Sequence, residues 1–597
     1  MQNSMTALFG DKVPAAVQGA LQRVLLVDLL HEIHRASAVL EGAQTFPEKL
    51  LRTLNVRTNI QAWDVARIPK NGPALIVANH PFGLIEGVVL AALLSRYRPD
   101  FKIVTNFLLA EFDELRTFCI FVDPFGRKGS AQSNRKGMRE CLAWLKRGGT
   151  LAVFPAGEVA HLDLKQRNIT DPTWSETVAK LARLSGAPVV PMYFDGNNSA
   201  LFHLLGLIHP RLRTAMLPHE FLNKRHAWIE VRAGNVIPPK KFSAFSSDEA
   251  LIRHFRQRTY LLKNRGRTNL RKLSTPNASK AVAAAVGPEI LEQEIQRLPT
   301  DRTVAELAGL SALLARAHEI PETLREIGRL REITFRETGE GTGRAIDIDA
   351  FDDHYLHLFV WNAQRREIVG AYRLGPVDEI IARFGSKGLY TNTLFRYKRE
   401  FLTRIGPALE LGRSFVRSEY QKNFAPLLLL WKGIAQFVAN NPRYKVLFGP
   451  VSISNDYTPA SRQLMVTYLK SHNQADNLSR LVKARSPFHT KPIRELQSLS
   501  EDMIAITEWD IEDLSALIAD IESEHKGVPI LLKQYLKLGG KLVAFNLDSN
   551  FSDALDGLIV VDLTETDSQV LDRYMGRENA VRFLAHHRRL DDKCPPT

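Results

Sequence analysis

The sequence predicts an α/β protein of two domains, and three observations predict it. From Gly72 to about Pro238, short apolar runs alternate with amphipathic stretches, the pattern of strands and crossover helices around a partly parallel sheet. Residues 264–290 then change character: the turn formers Asn264-Arg265-Gly266-Arg267 and Ser274-Thr275-Pro276-Asn277 precede an Ala-rich tract that ends at Gly287-Pro288. Beyond them a differently ordered series of helices and strands begins, with no internal repeat. The expected layout is a helical segment at 1–54, an α/β domain at 55–263, a linker at 264–290 and a mixed α/β domain at 291–597. A chain of 597 residues, 45% hydrophobic and 24% charged, has material for two cores.

Residues 14–54 place apolar residues at helical spacing, as in Val24-Leu25-Leu26-Val27-Asp28-Leu29-Leu30, which reads as a helix covering the first domain or lying on a membrane surface. Ala74–Ala78 is a short buried strand, and Gly87–Ser95 a helix. Strands are expected at Phe101–Thr105, Thr117–Val122, Thr150–Phe154 and Val189–Phe194, with helices at Ser133–Lys146 and Ser175–Ser185 between them. In the second half, helices are expected across 289–338 and at Pro426–Asn440. Strands are expected at Tyr355–Asn362, Glu367–Leu374, Ala408–Val416, Lys445–Val451 and Lys541–Asn546.

The net charge of +14, from 79 Lys+Arg against 65 Asp+Glu, favours an acidic partner: anionic lipid, an acidic carrier protein or nucleic acid. No zinc-finger spacing and no RNA-recognition motif is present, so nucleic acid is set aside and no metal site is expected. Cys119, Cys141 and Cys594 form no CxxC and no even framework, which suits a reducing compartment, and the first two read as core positions. No run of about 18 apolar residues and no leader pattern is seen. The expectation is a cytoplasmic protein, peripheral on the inner face of the cell membrane.

Chemistry concentrates first in Ala78-Asn79-His80-Pro81-Phe82-Gly83-Leu84-Ile85-Glu86-Gly87. An apolar strand ends, a Pro/Gly turn follows, and a helix starts near Ile85. In a parallel sheet, ligands gather at the carboxyl ends of strands, where His80 lies. On one continuous helix, residues six apart would diverge by about 240°, so His80 and Glu86 meet only if 81–84 form a turn. An imidazole steadied by a carboxylate is what takes a proton from an attacking hydroxyl. About seventy residues on, a second strand ends in Phe154-Pro155-Ala156-Gly157-Glu158. Together these resemble the glycerolipid acyltransferase family, over roughly residues 55–240. The usual family motif spaces His and Asp by four residues. Here the spacing is five and the acid is Glu, which resembles the haemolysin-like subgroup, whose loop reads Asn-His-Pro-Phe-Gly-Gly-Leu-Asp-Gly and so has the same spacing but Asp as its acid. The resemblance implies His80 as general base, Glu86 as its partner, Arg127, Lys128 and Arg135 as holders of an anionic group, and Gly157 and Glu158 as the lining of the acceptor pocket.

The second half carries Asp347-Ile348-Asp349-Ala350-Phe351-Asp352-Asp353, then Gly370-Ala371-Tyr372-Arg373-Leu374, then Glu410-Leu411-Gly412-Arg413. A strand sends alternate residues to opposite faces, so Glu410 and Arg413 share one only across a bulge, which Gly412 permits. Read alone, these are structural ion pairs as readily as a site. As an ordered series over about 320–575 they resemble the GNAT-like N-acyltransferases related to acyl-homoserine-lactone synthases, and above all the ornithine N-acyltransferases. The resemblance implies Glu410 as base or proton relay, Arg373 or Arg413 on an acceptor carboxylate or a carrier phosphate, and Asp349 and Asp352 on the acceptor ammonium.

Two such halves in one chain resemble the bifunctional ornithine-lipid synthases. The implied function is N-acylation of an amino acid from a 3-hydroxyacyl thioester of acyl-carrier protein or acyl-CoA, then O-acylation of the lyso-lipid so formed. No bound cofactor is implied; the thioester is a co-substrate. The implied partners are acyl-carrier protein, lyso-lipid and amino-acid substrates, and a membrane surface. A lysophospholipid (1-acylglycerol-phosphate) acyltransferase with a non-catalytic second half is the alternative, and a carrier-binding scaffold a more distant one.

Overall fold

The computed structural model describes residues 45–106, 113–122, 130–164, 168–265, 280–488, 510–522 and 525–591. The chain divides into two compact units, Met1–Gly266 with Ser498–His525, and Arg267–Gln497 with Lys526–Thr597. The expected helix at 14–54 is described only in its last turns, where Phe46–Thr53 is helical. Most of the expected linker, and Cys594, lie outside the described residues.

The first unit is built on seven strands: β1 (Arg57–Ile60), β2 (Ala74–Ala78), β3 (Phe101–Asn106), β4 (Cys119–Val122), β5 (Thr150–Val153), β8 (Val189–Phe194) and β9 (Trp228–Ala233), with a small hairpin β6 (His161–Asp163) and β7 (Asn168–Thr170) beside them. The sheet order is β1-β9-β8-β2-β5-β3-β4. Strands β8, β2, β5, β3 and β4 run parallel, and β9 returns antiparallel to β8. A parallel sheet must be covered on both faces, and period-two alternation divides the cover. Ile76, Ala78, Val190, Met192 and Phe194 pack toward α1 (Ile85–Tyr97). Leu75, Val77, Leu151, Val153 and Val189 pack toward α2 (Ser130–Lys146), α3 (Glu176–Ser185) and α7 (Asp248–Leu261). Between β8 and β9 lie three helices, α4 (Ala200–Ile208), α5 (Pro210–Ala215) and α6 (Leu217–Asn223). Cys119 and Cys141 are buried here, and burial pushes both thiols up to about 12.

One piece of this unit comes from far along the chain. The helix Ile511–Ile521 packs against α7, although the sequence expectation carries a single domain from 291 to 597. Asp520, fully buried near its end, meets Arg258 at 2.8 Å and Arg67 at 3.0 Å and accepts the Asn235 N–H at 2.7 Å.

The second unit holds an eight-stranded sheet ordered β10-β11-β12-β13-β15-β16-β19-β18. Its strands are β10 (Thr303–Leu307), β11 (Leu310–Arg316), β12 (Leu356–Asn362), β13 (Glu367–Pro376), β15 (Ala408–Val416), β16 (Val446–Ile453), β18 (Lys541–Asp548) and β19 (Ala554–Asp562). A short β14 (Phe395–Tyr397) pairs with β17 (Val482–Ala484) outside it. Helix α8 (Pro321–Glu337) covers one face through Ile327 and Leu330. On the other face lies α9 (Phe424–Asn440), whose Gly433 sits against Leu358. That helix is the crossover that a parallel pair requires, and β15 and β16 are parallel. The expectation of helices across 289–338 holds at Pro288–Gln296 and α8 and is corrected between them: the β10–β11 hairpin lies there, because Leu310–Arg316 has a sheet neighbour in β12 that local periodicity cannot reveal.

Candidate active sites

Strand β2 is tied to β8 just before the site. Asn79 Nδ2 donates to the Phe194 carbonyl at 3.0 Å, and Asn79 Oδ1 accepts the Phe194 N–H at 2.7 Å. His80 therefore stands at the carboxyl end of a central strand, with the ends of β5 and β8 on either side. The chain turns through 81–84 into α1. Gly83 has φ +99°, and a Cβ there would lie 2.6 Å from Leu217 of α6, so both the backbone and the packing call for glycine. The turn brings Glu86, in the first turn of α1, back to the imidazole: His80 Nδ1 lies 2.8 Å from Glu86 Oε1. The ring is off-line for a straight N–H···O bond, so this is an ion-pair contact. Glu86 Oε1 also accepts the N–H groups of Phe82 at 3.0 Å and Gly83 at 2.7 Å.

The ring stacks on Phe154 with centroids 4.6 Å apart, and the His80 backbone N–H donates to Asp171 Oδ1 at 3.1 Å. Asp171 is itself pinned by Trp174 Nε1–H at 2.9 Å. Burial pulls the imidazole's pKa down, but Glu86 and then Asp171 outweigh it and hold it above the ordinary 6.5. Burial likewise penalises the Glu86 charge, and His80 more than offsets this, holding its pKa below 4.5. With Nδ1 facing Glu86, Nε2 is the nitrogen left for a substrate hydroxyl.

Phe154–Glu158 follows β5. Gly157 is an exposed turn residue with φ +67°, and Glu158 is exposed, its Oε2 2.9 Å from Arg213 Nη2. Arg135 is exposed on α2. Arg127 and Lys128 lie outside the described residues. Sequence reasoning missed Asp171 and Arg213, whose places depend on chain returns far from the His80 motif.

The second unit gathers the other expected residues around one sheet face. Ala371 pairs with Phe415 but Arg373 with Gly412, so β15 carries an extra residue. The bulge falls on Arg413, which adopts φ +51°, rather than on Gly412. Such a conformation costs a non-glycine residue roughly 1–2 kcal/mol and turns Arg413 to the Arg373 side. There Asp349 takes Arg373 at 2.7 Å and Arg413 at 3.2 Å. Asp352, fully buried, is held by Arg331 at 3.0 Å and Arg373 at 3.3 Å. Burial opposes the charge of both acids, but Arg373 and Arg413 around Asp349, and Arg331 and Arg373 around Asp352, hold their pKa values below the usual range. Asp352 thus fixes the arginines and has no exposed face for an ammonium.

Glu410 sits beneath them, buried, with Oε1 accepting the Thr391 N–H at 2.6 Å and Oε2 accepting the Tyr355 hydroxyl. Tyr355 fits because residue 375, paired with Glu410, is glycine: a Cβ would lie 2.4 Å from the tyrosine ring. Burial raises the Glu410 pKa, partly offset by these hydrogen bonds. The β15–β16 ladder runs from Ala408·Val446 to Glu410·Phe448, though both strands continue past that point. Sequence reasoning also missed Asp556. It faces Ser452, whose Oγ donates to it at 2.7 Å, and sits diagonally from Asp548 on paired strands. Burial, with Asp548 and Glu340 nearby, pushes its carboxyl up to about 8, while Arg413 pulls the other way. An acid inside the apolar run Ala554-Leu555-Asp556-Gly557-Leu558-Ile559-Val560 was the available signal.

The profile of the acyltransferase family matches residues 14–268, and that of the acetyltransferase (GNAT) domain matches residues 330–432. A glycine Nα-acyltransferase of Phocaeicola vulgatus is 31% identical over 258 residues, covering 41% of this chain and 77% of that protein. One of Bacteroides thetaiotaomicron is 33% identical over 244 residues, 39% of this chain and 70% of that protein. A lyso-glycine lipid O-acyltransferase of Phocaeicola vulgatus is 28% identical over 237 residues, 38% of this chain and 81% of that protein. The chain therefore belongs to the family of the glycine Nα-acyltransferases, and it is an acyl-transferring enzyme with an acyltransferase domain followed by a GNAT domain.

Proposed function

We propose that the chain makes a two-chain acylated aminolipid, the second unit N-acylating an amino acid and the first O-acylating the lyso-lipid that results. The observation that carries the O-acyl step is the His80–Glu86 pair at 2.8 Å. The substrate hydroxyl gives its proton to His80 Nε2 as its oxygen bonds to the thioester carbonyl carbon. The C–S bond breaks, and the leaving thiolate takes the proton back from the imidazolium. Glu86 steadies that imidazolium, and general-base help of this kind is worth ~10²–10⁴ in rate. Glu158 and Gly157 line the acceptor side in this reading, and Arg127, Lys128 and Arg135 are the basic residues it assigns to an anionic group.

In the second unit, Arg373 and Arg413 bind the acceptor's carboxylate, and the acids around Asp556 and Asp548 face its ammonium. The amine must shed a proton before it attacks, and Glu410 through Tyr355, or Asp556 directly, receives it. The donor in this reading is a 3-hydroxyacyl carrier protein, whose acidic surface suits a chain of net charge +14. The names of the relatives favour glycine as acceptor over the ornithine implied by the sequence motifs. Mass spectrometry of purified full chain supplied with acyl-carrier thioester and a panel of amino acids tests this. N-acyl and then N,O-diacyl products are expected, and ester formation only on glycerol phosphates would overturn the reading.

A further inference from the structure

The hairpin β6–β7 grips the backbone of His80 at its open end. Its pairing runs from Asp163·Asn168 to His161·Thr170, so Ala160 and Asp171 stand at that end. The Ala160 N–H donates to the His80 carbonyl at 2.8 Å, and the His80 backbone N–H donates to Asp171 Oδ1 at 3.1 Å. Asp171 is 2% exposed. A carboxylate withdrawn from water is costly unless its oxygens are hydrogen-bonded. Here both oxygens take N–H groups, Oδ2 from Trp174 Nε1 at 2.9 Å. Burial raises the Asp171 pKa, and the Trp174 and His80 N–H groups, with the charges of His80 and Arg256, work against that rise.

The acid is mounted from two sides. Helix α7 supplies Tyr260, whose hydroxyl oxygen accepts the Asp171 N–H at 2.8 Å. It also supplies Arg256, whose Nη2 donates to the Asp171 carbonyl at 3.1 Å and to Thr170 Oγ1 at 2.9 Å. At the start of α3, the Ser175 N–H donates to the Pro155 carbonyl at 2.9 Å, beside the Phe154 ring on which the imidazole stacks. Carboxylate, peptide and ring therefore share one frame, and a connected buried network holds its members to a single arrangement. We infer that Asp171 is a positioning residue for the His80 step: its carboxylate holds the peptide of residue 80 so that the imidazole stays on Phe154 and against Glu86, and it places a second negative charge beside the imidazolium. It acts through His80 and not on the substrate. The charged and titratable groups around the pair are Glu86 from α1, Lys224 from α6, whose charge acts on Glu86, and Arg256 and Tyr260 from α7. The inference rests on the reading of His80 as the base of ester formation.

The test compares wild type, Asp171→Asn, Tyr260→Phe and His80→Ala as full chains. Ester formation from labelled thioester is followed across pH, and ring-labelled histidine is titrated by NMR, the His80 signal being the one that His80→Ala removes. Asp171→Asn removes the charge and leaves one oxygen for two donors, the His80 N–H and Trp174. A misplacement of about 1 Å costs on the order of a hundredfold, so kcat should fall about ten- to a hundredfold with acceptor KM within about twofold. The His80 titration and the acidic limb of kcat/KM should both move to lower pH, because a carboxylate that favours the imidazolium is gone. Tyr260→Phe loosens the mount but keeps the Glu86 and Asp171 charges, so kcat should fall about three- to tenfold with the limb unmoved. That variant keeps its ring, and it reports on the mount even where Asp171→Asn does not fold. If each folded variant turns over within about twofold of wild type, or loses only acceptor affinity, the role given to Asp171 is wrong. It is equally wrong if Asp171→Asn leaves the His80 titration where it was. Should that titration move while His80→Ala still forms ester at the wild-type rate, the base reading fails and the hold of Asp171 on the imidazole stands.

Discussion

Glu86→Gln keeps the size of the side chain and an oxygen for the Phe82 and Gly83 N–H groups, so it removes charge while leaving the turn in place. Two unit charges about 4 Å apart at an effective dielectric near 20 attract by ~4 kcal/mol. The His80–Glu86 contact is of that kind, and the imidazolium exists only once the hydroxyl proton has moved. With part of the attraction recovered by relaxation, the barrier rises by ~2–4 kcal/mol, a loss of about 30- to 1000-fold in kcat. The pH profile adds a second readout. His80 is held above 6.5, and the base must be neutral, so the acidic limb of kcat/KM lies above pH 6.5 in the wild type. Without the Glu86 charge, burial dominates and the limb moves to lower pH. Stability carries the matching sign. The raised imidazole stabilises the fold below 6.5 and loses that contribution as pH rises through its folded pKa. The depressed carboxyl stabilises it above 4.5 and loses that as pH falls, so the variant's deficit is largest between about 4.5 and 6.5. Ester formation measured from labelled acyl thioester across pH is the assay. A variant within about threefold of wild type, with an unmoved acidic limb, refutes the role given to Glu86.

His80→Ala should cut ester formation by ~10²–10⁴ while N-acylation continues, so that lyso-lipid accumulates in product analysis. Asp556→Asn and Glu410→Gln separate the two candidate bases: whichever receives the amine proton should lower kcat with little change in acceptor KM. Asp556 is protonated well above the usual carboxyl range, so it costs stability as pH rises from about 4 to about 8, and its Asn variant should show a thermal-transition gain that grows over that window. Asp520→Ala leaves Arg258 and Arg67 without their buried counter-charge, and should destabilise the first unit by ~3–5 kcal/mol in chemical denaturation.

Much of the site was readable because its parts are local. The apolar run 74–78, the Pro/Gly turn and the acid at the head of a helix all lie within about a dozen residues, and each obeys a short-range rule. The Glu410–Arg413 bulge was readable as a need, but its position was not. Arg413 takes the left-handed conformation because ion pairs to Asp349 outweigh its backbone preference, and that balance appears only once β13 lies alongside. Strand β11 and Asp171 were hidden for the same reason: β12 and His80, their partners, lie tens of residues away.

By itself the sequence determined two α/β domains, the imidazole–carboxylate pair at 80 and 86, and the acid–arginine series of the second half, because periodicity, turn chemistry and charge order are properties of neighbouring residues. Tertiary structure decided which carboxylates are already neutralised, that the Asp556 carboxyl is pushed up to about 8, and that Ile511–Ile521 completes the first unit. Burial and charge compensation are sums over everything within a few ångströms, and only the folded chain brings those groups together.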